Sequence, residues 1–153
     1  MPMLTVEQLK SRYPYMFDRP HIGFEFYRGW MPILVRACAE IDVALGENKR
    51  VFHWRQIKEK WGSARFYYRL GSTSRVRMDV HEPGEGVAVL RGATRKGDAL
   101  ADRIDAIVDA AEEQTQTACI VCGARASLED ANGYYVTLCP MHSPEDIAGA
   151  VLS

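Results

Sequence analysis

Val51-Phe-His-Trp-Arg-Gln-Ile-Lys-Glu-Lys60, Trp61-Gly62-Ser63 and Ala64-Arg-Phe-Tyr-Tyr-Arg-Leu70 together set the fold class of this 153-residue chain. The two flanking runs are rich in aromatic and β-branched residues, which suit a pleated, half-buried surface. The short connection holds a glycine that can supply the positive φ a tight turn needs, so the stretch reads as a β-hairpin. Alternation places Arg65, Tyr67 and Arg69 on one face of the second strand and Phe66, Tyr68 and Leu70 on the other. His53 and Arg55 share a face of the partner strand. An Arg/Tyr surface can touch phosphates and stack on bases, which makes Arg55, Arg65, Tyr67 and Arg69 the candidate partner-binding residues. The same pattern also describes the solvated side of an amphipathic sheet, or a sheet paired with an acidic helix.

Helical periods flank the hairpin. Thr5-Val-Glu-Gln8 reads as a capping box opening a short helix that stops before Pro14. Residues 14–27 are aromatic and irregular. Trp30, Ile33, Leu34, Ala37, Cys38, Ile41, Ala44 and Leu45 form one apolar stripe, predicting a core helix from near Gly29 to near Gly46 with Pro32 in its first turn. After the hairpin, Val76-Arg-Met-Asp-Val80 and Val87-Ala-Val-Leu90 predict a second hairpin across Pro83-Gly84-Glu85-Gly86. A third helix is expected from about Gly97 to Gln116. Its apolar face is Leu100, Ile104, Ile107, Val108 and Ala111; Asp98, Asp102, Asp105, Asp109 and Glu112 recur on the other side. Such a stripe is an ordinary solvated face or, in its sharper reading, a mimic of nucleic-acid charge.

The most specific chemistry lies at the C-terminal end. Cys119-Ile-Val-Cys122-Gly123 is followed, after sixteen residues from Cys122, by Cys139-Pro-Met-His142. Two ligand pairs at that spacing suit a closed tetrahedral zinc site of three thiolates and one imidazole. Four protein ligands leave no position for a catalytic water, so the expected ion is one structural Zn²⁺ per chain. Disulfides are the competing use of four cysteines. Met1-Pro-Met-Leu-Thr5 lacks the basic and apolar regions of a secretory signal, so a cytoplasmic location with reduced thiols is expected. Cys38 stands alone in Ile33-Leu-Val-Arg-Ala-Cys-Ala-Glu-Ile41 and reads as a small core residue. A redox C-x-x-C needs a βαβ setting that the sequence does not offer. Ala126–Glu129 and Tyr134–Leu138 predict a hairpin across Asn132-Gly133, and Ser143-Pro144-Glu145-Asp146 a helix start. Knuckle, hairpin and a second ligand pair at a helix N-terminus make a treble-clef-like finger. The expected organisation is therefore α+β: helices on a small antiparallel sheet in residues 1–116, and a zinc-binding tail in residues 117–153.

Two stretches carry a family resemblance. Gln56-Ile-Lys-Glu-Lys-Trp-Gly-Ser-Ala-Arg-Phe-Tyr-Tyr68 resembles the pattern Q-x-K-E-K-[FW]-G-x-x-R-F-Y. Cys119-x-x-Cys-Gly123 with Gly133-Tyr-Tyr-Val-Thr-Leu-Cys-x-x-His142 resembles C-x-x-C-G…G-[WY]-x-x-T-L-C-x-x-H. Together they are similar to a family of small, largely uncharacterised bacteriophage and prophage proteins, over roughly residues 28–142. The glycine-rich hairpin at 71–97 departs from that pattern. The resemblance implies a phage-linked origin and a zinc-bound tail, and supplies no activity.

Charge and the missing motifs narrow the function. Net charge is −1, but residues 51–96 hold ten Lys/Arg against four Asp/Glu, and residues 97–153 hold two against ten. The small total therefore combines a basic middle (+6) with an acidic end (−8). No run is apolar enough to span a membrane. An HNH nuclease needs a general-base His between its knuckles, and residues 123–138 contain none. A zinc deaminase needs H-x-E, P-C-x-x-C and an open zinc position. Nucleophile-elbow, P-loop and dinucleotide signatures are absent too. The expectation is a non-enzymatic, zinc-stabilised interaction protein, phage-derived and acting on a host protein, with inhibition of a host defence as one form. The alternative is a nucleic-acid-binding protein using the 51–70 hairpin.

Overall fold

The computed structural model describes residues 4–18, 22–71, 73–74, 77–81, 87–91 and 99–152, with the strands between 73 and 91 described by backbone alone. Helix α1, Val6–Arg12, opens on the expected capping box: Thr5 Oγ1 accepts from the Gln8 amide and Gln8 Oε1 from the Thr5 amide. Residues 14–18 and 22–27 are more ordered than their composition suggests. Pro14–Phe17 forms one helical turn, α2, and the short strands β1 (Gly23–Phe24) and β2 (Phe26–Tyr27) follow. A 3₁₀ turn at Arg28–Trp30 leads into α3, Met31–Leu45, with Pro32 in its first turn as the sequence predicts.

Strands β3 (Phe52–Lys60) and β4 (Ser63–Leu70) form the central hairpin. Short β5 (Thr73–Ser74) pairs with the end of β4, and β1 runs parallel to β3, giving the sheet order β1-β3-β4-β5. The register slips between Trp54 and Gln56, where Arg55 is the extra residue of a bulge. The bulge lets Trp54 and Ile57, an odd spacing apart, both be buried. Strict alternation through β3, as expected from sequence, is therefore interrupted at Arg55.

Strands β6 (Arg77–His81) and β7 (Val87–Arg91) pair as the second hairpin; its connection lies outside the described residues. Helix α4, Ala99–Thr115, follows the predicted third helix, and Asp98 also lies outside the described residues. Ile104, Val108 and Ala111 are buried on α4. Two of its acids are buried as well, contrary to the expected solvated stripe. Tyr68 Oη donates to Asp105 Oδ1, and the Phe66 amide donates to Glu112 Oε2 at 2.9 Å. The Ala64 amide donates to Thr115 Oγ1 at 2.9 Å. Because β5 covers only the end of β4, α4 supplies side-chain acceptors for backbone amides that no further strand takes.

The C-terminal segment carries β8 (Ser127–Ala131) and β9 (Tyr134–Leu138), the predicted hairpin, then β10 (Val151–Leu152), which pairs with β2. No α-helix follows Ser143. Its capping box with Asp146 forms, but only 3₁₀ turns at Pro144–Asp146 and Ala148–Ala150 result. A single core cluster runs through the molecule, joining Phe26, Trp30, Ile41, Trp54 and Phe66 to Cys119, Ile120, Val121 and Leu138. Residues on both sides of position 116/117 contribute to this cluster. Gly29 explains how the two parts close. Its amide donates to Ile120 O at 3.0 Å, and a Cβ there would lie 2.0 Å from Cys119 O. Trp30 Nε1 donates to Ala118 O beside it at 2.8 Å.

Candidate metal centre and neighbouring surfaces

The knuckle is built by backbone hydrogen bonds. Cys119 N donates to Ala124 O at 2.7 Å and Gly123 N to Cys119 O at 2.8 Å, with Gly123 at φ +83° closing the turn. Strand β9 delivers Cys139, and a tight turn with His142 N donating to Cys139 O brings the imidazole round. The ligand atoms of Cys119, Cys122, Cys139 and His142 lie within 4.8 Å of one another, forming a Cys₃His cluster that could hold one metal ion. Cys122 Sγ and Cys139 Sγ are 3.7 Å apart. His142 Nδ1 lies 3.4 Å from Cys139 Sγ and 3.8 Å from Cys119 Sγ. Metal bonds of about 2.3 Å to sulfur and about 2.0–2.1 Å to nitrogen would place tetrahedral edges near about 3.8 Å (S···S) and about 3.6 Å (S···N), so these donors fit such an ion. Nδ1 is the ring nitrogen turned toward the sulfurs.

Cys119 and Cys139 are buried, His142 half-buried and Cys122 exposed. Burial opposes the Cys119 thiolate, yet the amides of Cys139, Cys122 and Val121 outweigh it and hold its pKa down to about 6. The helix expected to start at the second ligand pair is reduced to 3₁₀ turns, and the aligned amides serve Cys119. Burial raises Cys122, and its neighbours Cys139 and Cys119 reinforce that. Cys38 is buried apart from this cluster, its thiol pushed up to about 12 chiefly by burial.

The candidate partner-binding residues separate. Arg69 and Arg55 are exposed and Tyr67 is half-buried, but Arg65 is only 5% exposed, with Nη1 donating to Ser63 Oγ and Ala64 O. Cross-strand pairing puts His53 opposite Arg69, Gln56 opposite Tyr67 and Lys58 opposite Arg65, each pair sharing a face. Lys58 Nζ sits 5.6 Å from the Tyr67 ring centroid. The basic face therefore exists, with Lys58 added and Arg65 withdrawn.

No protein-family model, curated protein or solved structure matches the chain. Among the described residues, no helix is long and apolar enough to cross a membrane.

A second feature escaped the sequence reading. Both the β3–β4 and β8–β9 hairpins turn on two residues of positive φ: Trp61 (+54°) with Gly62 (+85°), and Asn132 (+55°) with Gly133 (+92°). Asn-Gly suits that turn; an indole there is a backbone outlier costing on the order of 1–3 kcal/mol. Lys60 Nζ lies 4.5 Å from the Trp61 ring centroid. Thr137 Oγ1 donates to Gly62 O at 2.6 Å, seating this turn against the β8–β9 hairpin. Between them opens a groove of about 770 Å³. The only sequence signal for it was the Trp-Gly dipeptide standing where Asn-Gly is favoured.

Proposed function

We propose that the chain is a non-enzymatic, zinc-stabilised interaction protein whose partner is a host protein, the phage-linked origin resting on the paired sequence motifs. Three thiolates and an imidazole within 4.8 Å of one another suit Zn²⁺ in a structural role, one ion per chain, because the protein supplies all four ligands. Knuckle, hairpin and second ligand pair follow the order of a treble-clef finger whose closing helix is reduced to 3₁₀ turns.

The observation that carries the interaction reading is the placement of exposed apolar side chains. Among the described residues, Val43, Leu128, Tyr134, Tyr135, Met141 and Val151 are the exposed large hydrophobics, and five of these six belong to the metal segment. A concentration of apolar surface on one part of a small protein marks a contact site. Nucleic-acid mimicry by α4 loses support, since Asp105 and Glu112 bind the sheet rather than facing outward.

The basic sheet face carrying Arg55, Lys58, Tyr67 and Arg69 favours a second reading, nucleic-acid binding. Electrophoretic shift with generic duplex and single strands at two salt concentrations separates the two. The interaction reading expects no shift, alongside saturable capture of a host protein. A shift that weakens with salt and disappears in Arg55→Glu/Arg69→Glu would replace it with the second reading.

A further inference from the structure

The aromatic groove beside the metal segment has a definite chemistry. Tyr27 from β2, Trp61 from the β3–β4 turn, and Tyr134 and Tyr135 from the β8–β9 hairpin line it. Tyr134 is 76% exposed and Tyr135 46%. The Tyr27, Trp61 and Tyr134 side chains offer apolar faces with polar tips, the combination that receives an extended backbone whose own carbonyls lack internal partners, while Tyr135, next along the strand, alternates to the other face. The ionisable side chains on the groove wall, apart from its tyrosines, are Glu59 and Lys60, one of each sign. Glu59 Oε2 accepts the Gly62 amide at 3.1 Å, and Lys60 lies over the Trp61 ring. The groove is therefore electrically balanced and gives a phosphate backbone little purchase, in contrast to the basic outer face of the sheet.

Trp61 adds an independent sign. The hairpin at 132–133 shows that this chain makes the same turn with Asn-Gly. At 61–62 the relaxed residue is replaced by a strained indole that lines the groove. Strain kept at a wall of a concave site points to recognition rather than to folding.

We propose that this groove binds an extended, uncharged, proline-containing segment of a partner protein, with Trp61 as its central anchor. The inference rests on the reading of the chain as an interaction protein and names where and how the partner is held. Left-handed polyproline segments dock on aromatic-lined surfaces of this type, ring against ring.

Tryptophan fluorescence gives a selective readout, because Trp30 and Trp54 are 0% and 1% exposed while Trp61 is half-buried. The zinc-loaded full chain would be titrated with a decaproline peptide, a Gly-Ser decapeptide and a thymidine decanucleotide. The proposal expects a saturable spectral shift with decaproline alone. Trp61→Asn installs the favoured turn residue, so its Tm should be unchanged or raised while decaproline affinity, followed with a labelled peptide, falls at least about tenfold. Tyr134→Ala, at an exposed position, should also weaken binding with Tm unchanged. Absence of a decaproline shift, equal binding of either control, or a Trp61→Asn protein that is destabilised or still binds would overturn the proposal. Host-protein capture distinguishes the two levels. If wild type and Trp61→Asn capture the same partner equally, the groove fails and the interaction reading stands; if wild type captures none, the interaction reading itself fails.

Discussion

Cys122 is the exposed member of the cluster, and its role is testable without touching the core. Cys122→Ser should abolish retention of zinc, while Cys38→Ala, remote from the ligands, should keep one ion per chain. Native mass spectrometry reads both, and zinc retained by Cys122→Ser would break the assigned set. Acid should release the ion as well. The Cys119 thiol lies at about 6 against an ordinary 9.0, so its thiolate persists below neutrality. A depressed folded pKa contributes stability above the unfolded value, which is lost as pH falls through the folded one. In the metal-free chain that contribution is lost as pH falls through about 6; a bound ion competes with protons for the same sulfur, so release followed with a chromogenic chelator should set in only below about pH 6. Gly29 is the other decisive single residue. Gly29→Ala would drive a Cβ into Cys119 O and cost about 1–3 kcal/mol, seen as a lowered urea midpoint. That Cys119, Cys122, Cys139 and His142 come together was legible because such spacing is a local property. Gly29 was not, because its need for a bare Cα arises from a partner some ninety positions away in the chain.

At the scale of elements, α4 is the sheet's missing neighbour as much as a core helix. Thr115→Val keeps the shape of the side chain but leaves the buried Ala64 amide unpaired, a loss of about 1–3 kcal/mol. Thermal unfolding should fall by roughly 2–4 °C per kcal/mol in a chain of this size; an unchanged Tm would show that Thr115 does not hold the edge. The helix itself was readable from its period. The inward turn of Asp105 and Glu112 was not, since periodicity treats every carboxylate as solvated and cannot see amides left without a strand. Similarly, the central hairpin was announced by aromatic and β-branched runs around Gly62, whereas the bulge at Arg55 follows from the demand that Trp54 and Ile57 share one face. Ser143 capped its turn as expected, but the following residues close only 3₁₀ turns before β10 is drawn onto β2. Two-residue strands such as β2 and β10 carry too little pattern to be recognised until tertiary pairing makes them.

At the scale of the whole molecule, the C-terminal segment and the helical body contribute to one core, so an ion held by the Cys₃His cluster would staple the fold rather than decorate its end. Ile120 accepts from Gly29, Ala118 from Trp30, and β10 completes the pair with β2. Loss of the ion should therefore be felt beyond the segment that holds it. Amide hydrogen exchange before and after chelation measures this directly. Protection should fall together in Phe26–Trp30 and in Ile120–Leu138 when the metal is removed. Protection that does not change, or that falls only within residues 117–152, would contradict it.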